Sequence, residues 1–297
     1  MLYAAQGAEI TGPLVEAFEK RHPELRVEIV RGGTGEMLGR IRAERARPRG
    51  DVLMGGALEA YASNAELFAP AEVPGEEAFL ARDPARLWHP FTTNVIHLVV
   101  NEERAPGLRI ESLADLAGPR FAEHGRLGLS NPNASGTGYT VVAALVSVLG
   151  WDALPALLRN CWLTDSSDAT FKWVKDGEVA AGFLFEATLR EYLAAGRPLR
   201  AVIPREGLIT QTDGAGLLAG AAHAEAGLAF LAFLASEEAQ EIARARIGRR
   251  PGRIGSKAPA GLLDLSGMKL LQPDARLVAD RPGLLARYEI ARAEAGK

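Results

Sequence analysis

Five short loops hold the residues best suited to chemistry. Gln6-Gly7, Gly33-Thr34-Gly35, Gly55-Gly56, Ser135-Gly136-Thr137 and Ser166-Ser167 each lie between an apolar, strand-like run and a helix-like run. Glycine lets the backbone approach a bound molecule, and the free N–H groups and positive dipole end of a helix favour an anion. Hydroxyls of Thr34, Ser135, Thr137, Ser166 and Ser167 would complete the shell. That chemistry is capture by N–H and O–H donors, with no bond broken. The same residue types also serve structure: Ser, Thr or Asn before a helix is an N-cap worth about 1 kcal/mol, and glycine is ordinary turn chemistry. The stretch from Asn131 to Tyr139 stands apart, because turn formers, hydroxyls and glycines precede an apolar helix with no evident packing role for Ser135 and Thr137. Removing both hydroxyls is expected to abolish binding with little loss of stability. Glu186 directly follows the apolar run Val179 to Phe185. It either accepts hydrogen bonds from sugar hydroxyls or an amine, or sits in the first turn of the next helix.

Patterns that would mark a catalytic or cofactor site are missing. No Gly-x-x-x-x-Gly-Lys-Ser/Thr phosphate loop occurs, and Gly33-Thr34-Gly35 lacks a third glycine at dinucleotide-binding spacing. Ala134-Ser135-Gly136-Thr137-Gly138 lacks the leading glycine of a nucleophile elbow. His22, His89, His97, His124 and His223 are widely separated and sit in no metal-ligand motif. Cys161 is the only cysteine, so it forms no intramolecular disulfide and reads as a small buried filler. No cofactor and no metal are expected.

The loops need strands and helices to position them, and the chain supplies a repeating α/β rhythm. Leu2–Ala5, Leu25–Val30 and Asp51–Met54 read as strands, with helices over Pro13–Arg21 and Glu36–Arg45 between them. A proline-rich stretch, with Pro70, Pro74, Pro84 and Pro90, leads to a strand from Thr93 to Val100 and a second α/β body. There the pattern predicts strands at Arg126–Leu129, Val179–Phe185 and Leu199–Ile203, helices at Leu113–Leu116, Tyr139–Leu149 and Thr188–Ala195, and further units at Ala153–Arg159 and Phe171–Lys175. A return strand, Thr210–Leu218, precedes helices Ala224–Ala235 and Glu237–Arg246, which would complete the first body, and a final helix runs near Pro282–Ala295. In open α/β sheets such loops gather at the carboxyl ends of the strands, where ligands bind.

At 297 residues and 47% hydrophobic composition, two bodies or one large one are both open. A formal net charge of −3 with scattered arginines supplies no basic field for nucleic acid. No run reaches the roughly 18–20 apolar residues of a membrane span. Only Met1 precedes the first strand, so a signal segment is absent from the sequence given.

At these same loops the chain resembles the type II periplasmic solute-binding proteins, in the branch that takes iron(III), phosphonates, thiamine or sugar phosphates. The resemblance rests on Gly32-Gly33-Thr34-Gly35-Glu36-Met37-Leu38, Gly50-Asp51-Val52 leading to Gly55-Gly56, Asn131 to Tyr139, Lys175-Asp176-Gly177-Glu178-Val179-Ala180-Ala181-Gly182, Phe185-Glu186 and Ser236-Glu237-Glu238-Ala239-Gln240. It implies an α/β fold of two doubly wound lobes joined by two crossover strands, near Thr93–His97 and Thr210–Gly214, with a ligand cleft between them. Residues 1–94 and 213–297 would form one lobe and 95–212 the other. The protein would be a monomeric, periplasmic or extracytoplasmic receptor that closes on a small-molecule solute and docks on ABC permease membrane subunits. Members that carry iron have an adjacent tyrosine pair where this chain has Glu186-Ala187-Thr188, so sugar phosphate and phosphonate binders look closer. On that analogy Ser135, Thr137, Ser166 and Ser167 would hold the phosphoryl group and Glu186 the hydroxylated or amino end; Gln6, Gly7, Thr34, Gly56, Gly136 and Asp213 complete the expected ligand-binding set. Ferric transport through another donor set, a two-lobed enzyme and a sensor domain stay open as alternatives.

Overall fold

The computed structural model describes residues 1–79, 81–265 and 267–296. The chain opens with β1 (Leu2–Ala4), α1 (Ala8–Arg21), β2 (Ile29–Arg31), α2 (Thr34–Ala43), β3 (Val52–Ala57) and α3 (Leu58–Ala62). The long strand β4 (His89–Asn101) leads to α4 (Pro119–His124), β5 (Leu127–Ser130), α5 (Gly136–Leu149), α6 (Leu154–Arg159), β6 (Cys161–Thr164), α7 (Ser167–Lys175), β7 (Ala181–Phe185), α8 (Glu186–Ala194) and β8 (Leu199–Val202). Strand β9 (Leu208–Leu217) returns to α9 (Ala224–Ala235), α10 (Glu237–Ile242) and β10 (Arg250–Pro251), and the chain closes with β11 (Leu270–Leu271), α11 (Ala275–Ala279) and α12 (Arg281–Ala295).

Two compact units result. Unit 1 comprises Met1–Asn94 and Thr212–Gly261, and unit 2 comprises Val95–Gln211 and Leu262–Lys297. Both β4 and β9 pass from one unit into the other.

In unit 1, β1 lies between parallel neighbours β2 and β3, and β9 runs antiparallel to β3. The β3–β9 register shifts between Met54 and Ala57, where Gly55 and Gly56 take φ of 92° and 80°. Only glycine holds such angles cheaply, so this pair builds a bulge at the strand's carboxyl end. Helices α1 and α9 close one face, with Phe18 meeting Phe230 edge-on at a centroid distance of 5.0 Å.

In unit 2, β5 lies between parallel neighbours β6 and β7, and β4 pairs antiparallel with β7 and β8. Helix α5 is buried at every position from Gly136 to Val146, which accounts for its lack of a polar face. It is the centre of the unit's largest core, with Leu127, Leu129, Phe183, Leu284 and Tyr288 around it.

Several elements depart from the sequence reading. The strand expected from Leu25 is only Ile29–Arg31, and the helix expected at Leu113–Leu116 is a 3-10 turn capped by Ser112. The helix expected through Arg246 gives way after Ile242 to a π-type turn, Ala243–Ile247, ended by left-handed Gly248. The larger departure is at the C-terminus: residues 262–297, expected in the first lobe, belong to unit 2. There β11 pairs with Leu208 and Ile209, and α12 buries Leu284, Tyr288 and Ala291 in the unit 2 core. Spacing at i, i+4 and i+7 reveals a buried face but not the body that receives it.

Candidate functional site

In unit 1 the strand-end loops are drawn together. A Cβ at Gly55 would lie 2.5 Å from Gln6 Cγ, and one at Gly56 would lie 2.8 Å from Thr34 Oγ1. Gly7 is the N-cap of α1 and Thr34 the first residue of α2. Asp213, only 2% exposed, accepts hydrogen bonds from Gln6 Nε2 at 2.9 Å and Asn94 Nδ2 at 2.8 Å, and forms an ion pair with Arg249. A buried carboxylate needs such company. Below it, Tyr61 Oη lies 2.7 Å from the Gly55 carbonyl and 2.8 Å from that of Gly214. Burial, reinforced by the Asp213 charge, pushes the Tyr61 phenol well above its ordinary range, so it remains a neutral donor. Gln6, Gly7, Thr34, Gly56 and Asp213 therefore share one edge of unit 1, and Asp213 is already served by three donors.

In unit 2 the carboxyl ends of β6, β5 and β7 lead into the N-termini of α7, α5 and α8. Ser135 caps α5, its Oγ accepting from the Gly138 N–H at 3.1 Å, and Ser166 caps α7, accepting from Ala169 at 3.4 Å. Ser135 thus has the structural role that the sequence did not reveal. The hydroxyls of Thr137 and Ser167, like that of Thr34 in unit 1, have no hydrogen-bond partner among the described residues. Gly136 opens α5, and Gly138 lets the helix sit on β5, since a Cβ there would lie 2.3 Å from the Ser130 carbonyl oxygen. Glu186 takes the second of its two readings, a place in the first turn of the next helix: it follows β7 directly, is the first residue of α8, and is 7% exposed.

Side chains tie these loops to one another. Asn131 Nδ2 donates to Asp165 Oδ1 at 2.8 Å, joining the loop after β5 to the loop after β6. Asn131 Oδ1 also accepts from the Asn133 N–H at 3.1 Å, and Ser130 and Thr170 hydroxyls lie 3.0 Å apart. Asn94, Arg249, Asn131 and Asp165 escaped the sequence reading as site residues. Asn131 lay within the distinctive loop, whereas Arg249 is hidden in the basic run Arg246 to Arg253.

Groups suited to other chemistry are engaged elsewhere. Among the described residues no group of three or more His, Cys, Asp or Glu is placed to hold a metal ion. Cys161 donates its thiol to the Leu157 carbonyl at 3.3 Å, and burial pushes that thiol up from its ordinary value. Among the described residues no helix is long and apolar enough to cross a membrane.

Two α/β units joined through crossing strands, each with glycine- and hydroxyl-rich loops at its strand ends, define the two-lobed type II periplasmic binding-protein class. A family model for bacterial extracellular solute-binding proteins matches residues 1–246, and the chain belongs to that family. It is a solute-binding receptor of the ABC importers, a periplasmic protein with a small-molecule ligand and a permease partner. An uncharacterized protein of Haemophilus influenzae is 28% identical over 247 residues, covering 77% of this chain and 70% of that protein. The structure of the periplasmic binding protein AfuA from Actinobacillus pleuropneumoniae, with exogenous fructose-6-phosphate bound, superposes with a TM-score of 0.89 at 22% identity, covering 99% of this chain and 98% of that one. Iron-bound HitA from Pseudomonas aeruginosa matches with a TM-score of 0.83 at 22% identity, over 100% of this chain and 98% of its own.

Proposed function

We propose that unit 2 captures the phosphoryl group of a small phosphorylated solute, such as a sugar phosphate or phosphonate, and that the protein delivers it for import without catalysing a reaction. The observation that carries this reading is the adjacent N-termini of α5 and α7, each capped by serine, with the Thr137 and Ser167 hydroxyls still available. Two helix ends and two hydroxyls match the several acceptor oxygens of a phosphoryl group. The third helix end is different, because Glu186 sets its own negative charge at the start of α8. It repels phosphate and suits a hydroxyl or ammonium group. In unit 1 the Arg249 charge is already neutralised by Asp213, so that edge suits hydroxyls better than a dianion. The fructose-6-phosphate bound to AfuA supports the same class of cargo.

The iron bound to HitA makes a ferric complex the second reading. Against it, Tyr3, Tyr61, Tyr139 and Tyr288 are at most 1% exposed, and the Tyr61 and Tyr139 phenols are engaged by backbone carbonyls. The fifth tyrosine, Tyr192, is partly exposed on α8 and stands by itself, and one phenol does not make a phenolate cage.

The test is a thermal-shift and calorimetric comparison of fructose 6-phosphate, 2-aminoethylphosphonate, glycerophosphodiesters, thiamine and ferric citrate. A phosphorylated ligand at about 1,000 times its dissociation constant should stabilise the protein by about 4 kcal/mol. Thr137→Val with Ser167→Ala should weaken binding by about 100-fold or more, since each charge-assisted hydrogen bond is worth roughly 1.5–3 kcal/mol. Ser135→Ala, unlike the expectation from sequence, should also cost about 1 kcal/mol of stability through loss of the cap. Stabilisation by ferric citrate alone would transfer the protein to the second reading.

A further inference from the structure

We propose that the C-terminal helix α12 is a positioning element of the anion site, acting through Arg281 and Glu289 on the loop that opens α5. The proposal rests on the assignment of that loop to phosphoryl capture.

Residues 131–135 make no regular secondary structure, yet they fix where the α5 N-terminus and Thr137 point. The Asn131–Asp165 hydrogen bond holds the loop from the β6 side. The opposite side is held by the C-terminal segment. Arg281, 9% exposed, donates from Nη2 to the Pro132 carbonyl at 3.3 Å, and its guanidinium lies over the Tyr139 ring, 4.3 Å from the centroid. Tyr139 in turn donates its hydroxyl to the Val278 carbonyl at 3.0 Å. A little over two turns along α12, Glu289 Oε1 accepts from Asn133 Nδ2 at 2.8 Å, while Asn133 Nδ2 also reaches Asn131 Oδ1 at 3.1 Å. A chain of contacts therefore runs from Asp165 through Asn131 and Asn133 to Glu289, with Arg281 clamping Pro132 between them.

A buried arginine stacked on an aromatic ring and bonded to a backbone carbonyl is costly to dedicate to packing alone. Its acceptor lies in a loop that would otherwise be free to move, and an anion site of backbone N–H groups depends on preorganised geometry. The family model ends at residue 246, so this brace lies outside the matched region. It offers a way for a chain of this fold to tune an otherwise shared anion loop.

The experiment measures hydrogen exchange over residues 131–140 in the ligand-free protein, together with fructose 6-phosphate affinity and melting temperature, in wild type, Arg281→Met, Arg281→Lys and Glu289→Ala. Glu289 is half exposed, so its variant is not a threat to folding if Arg281→Met proves unstable. The brace predicts that Glu289→Ala speeds exchange in 131–140 about tenfold and leaves exchange in α9 unchanged. Affinity should fall by about tenfold at nearly constant melting temperature, and Arg281→Lys should recover part of what Arg281→Met loses. Unchanged exchange in the loop overturns the proposal, as does faster exchange with unchanged affinity. If the loop loosens as expected but wild type binds no phosphorylated compound, the brace stands and the phosphoryl assignment fails.

Discussion

Gly138 shows how closely chemistry and packing are joined in this protein. It is the third residue of α5, its N–H satisfies Ser135, and a Cβ on it would press 2.3 Å from the Ser130 carbonyl. Gly138→Ala should therefore displace the helix N-terminus from β5, lowering stability by about 1–3 kcal/mol in urea unfolding and weakening solute binding at the same time. From sequence the residue reads as turn chemistry, and the glycine is visible while its reason is not. Thr137 and Ser167 stand out in the sequence as candidates because hydroxyls at a helix start either cap or contact a ligand. Which serine caps is a matter of hydrogen-bond geometry, and no spacing in the chain distinguishes Ser135 from Thr137. Asp213 was placed rightly on the return strand, but its service by Gln6, Asn94 and Arg249 unites residues up to 207 positions apart.

At the scale of elements, the parallel β–α rhythm was readable because short apolar runs alternate with helix-spaced ones, and that rhythm places loops at strand ends by necessity. Short elements were the weak point. Strand β2 holds three residues, and the turn at Leu113–Ala117 survives on its Ser112 cap rather than on helical propensity. Helix α10 depends on a cap in the same way: Ser236 Oγ accepts from the Ala239 N–H at 3.2 Å and donates to the Phe233 carbonyl at 2.6 Å, holding the corner between α9 and α10. Ser236→Ala should cost about 1 kcal/mol, read as a lower urea midpoint with an unchanged slope, and leave ligand affinity as it was.

For the molecule as a whole, His89 links stability to acidity. It is 4% exposed at the start of β4, with Nδ1 2.9 Å from Glu76 Oε1. Burial lowers its pKa from 6.5, against the opposing pull of Glu76. The folded protein thus keeps the ring neutral where the unfolded chain has begun to take up a proton. Its contribution is full above pH 6.5 and is lost as the pH falls toward the lowered folded value. Melting temperature should decline on acidification through that window, and His89→Gln should flatten the decline. The division into two bodies was visible in the interrupted rhythm near the prolines, whereas the destination of the last 36 residues, Leu262 to Lys297, was not. That destination matters for synthesis. A chain growing from its N-terminus has every residue of unit 1 once Gly261 is made, while unit 2, begun at Val95, waits for α12. The hydrogen bonds that reach Pro132 and Asn133 come from Arg281 and Glu289. Until Arg281 and Glu289 are made, the loop before α5 is held only from its Asp165 side.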